Sequence, residues 1–137
     1  MVLITADPTF EYWMTAYVSS ARPGLVLRFD GEKLGPDGAR MSRPAPAAAV
    51  LADAKAQVSA RSAPGMGPDP VLWVTMLDLM YSGHEAEAWL FFEDAWPASL
   101  TGKDEFRRAF ESQLAKSPWW PRVRESLITA RTAEAHP

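Results

Sequence analysis

A run of apolar side chains bracketed by prolines, from Pro70 to Pro97, limits the fold more than any other feature of the chain. It carries Trp73, Trp89 and Trp96, three of the six tryptophans. Between Val71 and Tyr81 only Thr75 and Asp78 are polar, and they stand three residues apart on one helical face. The branched and aromatic side chains there would also suit a buried strand, but the length of about three turns and the lack of alternation predict a helix. A helix this apolar belongs at the centre, covered on several sides. Ser82-Gly83 stops it, because glycine takes the left-handed backbone that closes a helix C-terminus. A second helix is predicted from about His84 to Trp96. Its main face is Ala88, Trp89, Phe92, Ala95 and Trp96, which Leu90 and Phe91 broaden, and its first turn carries Glu85 and Glu87, where the helix dipole favours acid.

The flanking segments are weaker. Asp7-Pro8 reads as a helix start, with Asp7 as N-cap, and Phe10, Trp13, Met14, Tyr17 and Val18 follow at the spacing of one apolar face. Arg22-Pro23-Gly24 ends that helix. Residues 25–34 spell a short β-hairpin turning at Asp30-Gly31, or an extended loop in its place. The alanine-rich segment 47–60 predicts a peripheral helix whose thin stripe is Val50, Leu51, Ala54 and Val58. Residues 62–70, dense in proline and glycine, form the clearest linker. Thr101-Gly102-Lys103-Asp104 resembles a capping box, and Phe106, Ala109, Phe110 and Leu114 predict a strong helix behind it. Ser117-Pro118-Trp119-Trp120-Pro121 breaks that helix, and Pro121 opens a last one with Val123, Leu127 and Ile128 inward.

At 137 residues the chain fits a single domain with a core of its own. That domain divides into an N-terminal helix and hairpin (1–43), a peripheral helix and linker (44–69) and a helical core (70–133). A net charge of −3 argues against nucleic-acid binding, which calls for a basic patch. The absence of cysteine excludes disulfides, thiolate metal sites and cysteine nucleophiles. No apolar run reaches the length of a transmembrane helix, and residues 1–8 lack the pattern of a signal peptide. The compartment stays open.

Ala88, Phe92 and Ala95 share the relative spacing of the small-aromatic-small positions on the second helix of a tetratricopeptide repeat. Tyr81 and Gly83 fall roughly where that repeat places a tyrosine and its turn glycine. Residues 71–97 therefore resemble one tetratricopeptide-like helical hairpin, although the turn is about two residues short and no second copy follows at a period of 34. The resemblance implies peptide or protein binding on a helical surface.

No motif assigns a catalytic residue, a metal ligand or a cofactor. His84-Glu85 lacks the histidine four positions on that a zinc protease needs, because that residue is Ala88; the only other histidine is His136. Asp78 interrupts the most apolar helix and is the candidate buried polar site, since a buried carboxylate needs a partner or a raised pKa. Trp119 and Trp120, flanked by prolines, face different directions, so one of the pair can stay exposed as a rigid aromatic knob.

These readings give a mainly α fold, a small irregular bundle of four to five helices, with the hairpin near 25–34 as its β element. The expected function is a non-enzymatic protein-interaction or accessory domain, its partner a protein or peptide or a second copy, bound by a helical groove with Trp119, Trp120, Phe91 and Leu90. Two rivals stand beside it. One is a binder of a small apolar or sugar-like ligand in a tryptophan-lined pocket. The other is an enzyme using Asp78 or Glu85 as base.

Overall fold

Val2, Ile4 and Thr5 are β-branched, and such side chains favour extended backbone wherever a partner strand is at hand. In the computed structural model, which describes residues 1–14 and 20–135, that partner is the segment 24–29. Strand β1 (Val2–Ala6) runs antiparallel to β2 (Gly24–Phe29), with Ile4 opposite Val26. β2 turns into β3 (Leu34–Pro36), giving a three-stranded sheet in the order β1-β2-β3. The predicted hairpin is therefore present, extended by a third strand.

Its turn centres on Gly31 and Glu32, closed by the Asp30 N–H donating to the Lys33 carbonyl at 3.1 Å, with Gly31 at φ 103°. Glycine at the first central position suits a two-residue hairpin loop. The amides of Lys33 and Glu32 both donate to Asp30 Oδ1, and these bonds hold that carboxyl below its ordinary range.

The N-terminal helix expected after Asp7-Pro8 does not form over the described residues. Thr9 to Met14 make successive turns, and Tyr12 and Met14 take left-handed backbone at φ 60° and 55°. Asp7 does accept the Thr9 amide at 3.0 Å, as a cap would. Tertiary contacts then override the helical period: Phe10 is buried among aromatic rings, whereas Met14, on the same predicted face, is exposed. Tyr17, Val18 and His136 lie outside the described residues.

Six helices follow among the described residues: α1 (Gly38–Met41), α2 (Ala48–Arg61), α3 (Val71–Tyr81), α4 (Glu85–Ala95), α5 (Lys103–Leu114) and α6 (Trp120–Ala135). The fold is mainly α with a small antiparallel sheet. Helices α3 and α4 form the central hairpin. Gly83, at φ 98°, ends α3 in a Schellman turn in which the His84 amide donates to Leu79 at 2.8 Å. The predicted linker is a tight turn, bridged between Ala63 and Gly67.

Thr101 does not cap α5. Gly102, in left-handed backbone at φ 82°, is the N-cap and makes no side-chain bond. The start of α6 is capped instead by Ser117, whose Oγ accepts the amides of Trp119 and Trp120, each at 3.0 Å. No helix of the described residues is long and apolar enough to cross a membrane.

The core is strongly aromatic. Trp13, Trp73, Phe92, Trp96, Phe106 and Phe110 meet edge-on, tilted or stacked at 5.2–6.4 Å, for example Trp13–Trp73 at 5.2 Å and Trp96–Phe106 at 5.5 Å. Such pairs each add about 0.5–1.5 kcal/mol beyond the area that they bury.

Candidate functional site

The deepest polar feature joins three distant parts of the chain. Asp7 is fully buried at the end of β1. Its Oδ1 accepts the amide and hydroxyl of Thr9, and its Oδ2 accepts the Tyr81 hydroxyl at 2.6 Å and the Ser117 hydroxyl. Four donors thus satisfy a carboxylate that makes no ion pair with the described residues. Burial, and after it the adjoining Asp7 carboxylate, hold the Tyr81 phenol far above its ordinary pKa, so it remains a donor.

This hub sets the floor of a groove. Tyr81 stacks on Trp120, with ring centroids 5.2 Å apart and planes at 28°. Ser117, bound to the same carboxylate, holds the Trp120 amide. Trp120 is therefore fixed from beneath and from its own backbone. The ring closes the bottom of a trough of about 260 Å³ between the start of α4 and α6. Met80 and Leu127 complete the floor, Ile128 stands at the lip, and Glu85, Glu87, Arg124 and Arg131 form the rim. A second depression of about 410 Å³, which reaches Trp89 and Leu114, shares Met80, Glu85, Trp120 and Arg124 with the first. Arg124 Nε and Glu85 Oε2 pair at 2.9 Å on that shared wall. Arg131 donates to the Gly83 carbonyl, tying the far end of α6 to the hairpin turn.

The residues expected at a binding surface separate. Leu90 is 69% exposed and Trp119 half-buried beneath the Arg122 guanidinium, 5.3 Å from its ring, but neither lines the groove. Trp120 is only 8% exposed, so it is a floor and not a projecting knob. Phe91 is core: the buried face of α4 is Ala88, Phe91, Phe92 and Ala95, and Trp89 falls at its edge.

Asp78, expected to be the buried polar group, reaches solvent beside Arg43 and Pro44. Desolvation by its neighbours raises its pKa, with Arg43 opposing. It keeps contact with water all the same, and Arg43 supplies no titrating partner for acid–base work. Glu85, the other candidate base, is held by Arg124. His84 bonds the Arg43 carbonyl through Nε2 at 2.6 Å.

The buried carboxylate is Asp7. Its signal in the sequence was indirect: a tyrosine in the most apolar helix and a serine before Pro118-Trp119 both needed an acceptor. Among the described residues no three His, Asp or Glu side chains converge as a metal site would require. Compared with known proteins, the chain matches no family model, no curated protein and no solved structure.

Proposed function

We propose that this chain is a non-enzymatic interaction domain whose α4–α6 groove receives an apolar side chain from a protein or peptide partner. The observation that carries the reading is Ile128, 56% exposed at the lip of a trough whose Met80, Trp120 and Leu127 floor is already rigidly supported. Water is displaced there without rearranging the protein, which keeps the ordering cost of binding low. The trough is partly open to solvent, so a side chain carried on a peptide can enter it from outside. Glu87 and Arg131 on the rim offer charge of both signs, which sets orientation more than affinity.

A peptide-display library panned on the wild-type chain tests this. Enriched peptides should carry one bulky apolar anchor and bind Ile128→Glu at least about tenfold more weakly, a loss of about 1.4 kcal/mol. Leu90→Glu, on a separate face, should leave their binding unchanged. No enrichment, or equal binding to Ile128→Glu, would overturn the reading. Trp89 and Trp120, which line the adjoining depressions, favour a small apolar or sugar-like ligand as the second reading. Saturable quenching of tryptophan fluorescence by a methyl glycoside or an aliphatic alcohol, lost in Ile128→Glu, would decide for it.

A further inference from the structure

The edge of a β-sheet presents unpaired main-chain groups, and chains that remain single guard both edges. Here the described residues guard one edge of the two. Along β3 the Leu34 carbonyl accepts Arg122 Nη2 at 3.0 Å and the Pro36 carbonyl accepts Ser126 Oγ at 3.0 Å, while Pro36 has no amide hydrogen to offer. Helix α6 closes that side.

β1 has no such cover among the described residues. Two bonds set the phase of its pairing: the Phe29 amide donates to the Met1 carbonyl at 3.2 Å, and the Asp7 amide to the Pro23 carbonyl at 2.9 Å. Leu3 and Thr5, in step with Met1 and Asp7, therefore turn their main-chain groups toward β2. Those of Val2, Ile4 and Ala6 point away from the sheet, and no described residue bonds to them. The strand VLITA contains no charge and no proline, and its register with β2 is free of bulges. Ile4 is 80% exposed, with Met1 and Leu3 exposed beside it.

We infer that β1 pairs antiparallel with β1 of a second copy of this chain, about a two-fold axis at Ile4. In that register Ile4 faces Ile4 and Val2 faces Ala6, so every outward amide and carbonyl of the strand gains a partner. Val26 and Ile4 of one copy continue into Ile4 and Val26 of the other as an unbroken apolar row across a six-stranded sheet. A second copy suits this edge better than an unrelated strand for two reasons. The register is its own two-fold mate, as an isologous contact demands, and it brings no like charges together.

Sedimentation velocity on the full chain, from micromolar to sub-millimolar concentration, tests the inference together with two variants. Ile4→Lys places a charge on the edge. Ile4→Pro removes an outward amide that the β1–β2 ladder does not use. The wild type should dimerise, and both variants should dissociate at least about tenfold more readily with unchanged far-ultraviolet circular dichroism. If Ile4→Pro loses structure, Ile4→Lys alone decides. In the wild-type dimer the Ala6 amide should exchange with solvent as slowly as Leu3 and Thr5, and in Ile4→Lys it should become fast while theirs stay slow. A wild type that is monomeric throughout, a dimer unaffected by Ile4→Lys, or a dimer whose Ala6 amide exchanges freely would overturn the inference. The surface is separate from the α4–α6 groove, so either proposal can fail alone.

Discussion

Replacing Tyr81 with Phe tests whether the Asp7 hub holds the fold. The substitution keeps the ring on Trp120 and deletes one hydrogen bond, the 2.6 Å donation to a fully buried carboxylate. Bonds to charged groups are worth about 1.5–3 kcal/mol, and no water can reach Asp7 to replace this one, so a loss of about 2 kcal/mol is expected at pH 7. For a domain of this size that corresponds to a fall in Tm of roughly 6–8 °C.

The pH dependence sharpens the test. Folding raises the Tyr81 pKa, so the native chain keeps a proton that the unfolded chain releases near pH 10. The stability that this proton contributes is fully present below pH 10. It falls by about 1.4 kcal/mol per pH unit above that point. Tyr81→Phe has no such dependence, so the gap between the two proteins should close near pH 11.5, by the same arithmetic. Urea titrations followed by circular dichroism at pH 7, 10 and 11 would measure it, as differences between the two chains. A loss under about 0.5 kcal/mol at pH 7, or a gap that is constant up to pH 11, would refute the account of the hub.

Three further outcomes are expected. Gly38→Ala would set a Cβ 2.2 Å from the Ser126 carbonyl oxygen and push α1 off α6, costing about 3 kcal/mol in urea denaturation. Gly24→Ala, with no atom within 4 Å of the new methyl, should change stability by less than about 0.5 kcal/mol. Asp78 has a raised folded-state pKa, so its ionisation opposes folding as pH rises through the window just above the ordinary carboxylate value. Asp78→Asn should therefore raise Tm at pH 7, with the difference vanishing below about pH 4.

What was legible in the sequence was local. Gly83 ended α3 because its left-handed backbone is a property of one residue, and Asp30-Gly31 marked a hairpin whose closing bonds span three positions. The run from Val71 to Tyr81 lacked alternation and proved a single buried helix. What was not legible depended on partners far along the chain. β1 becomes a strand only because residues 24–29 lie beside it, and Asp7 read as a cap because Tyr81 and Ser117 stand 74 and 110 positions away. Trp119 and Trp120 could not be told apart until the Ser117 cap fixed the phase of α6 and turned Trp120 inward. Leu90 and Phe91, which read alike in the sequence, part because the packed face of α4 takes in Phe91 and leaves its neighbour Leu90 exposed.

The span from Asp7 to Ser117 also bears on how the chain is made. At about 5–20 residues per second, a ribosome that has released Asp7 needs roughly 5–20 s to deliver the serine that completes its coordination. Throughout that interval the opening strand can zip to its neighbour but cannot seal its acidic end, so the sheet stays provisional until Ser117 has been delivered.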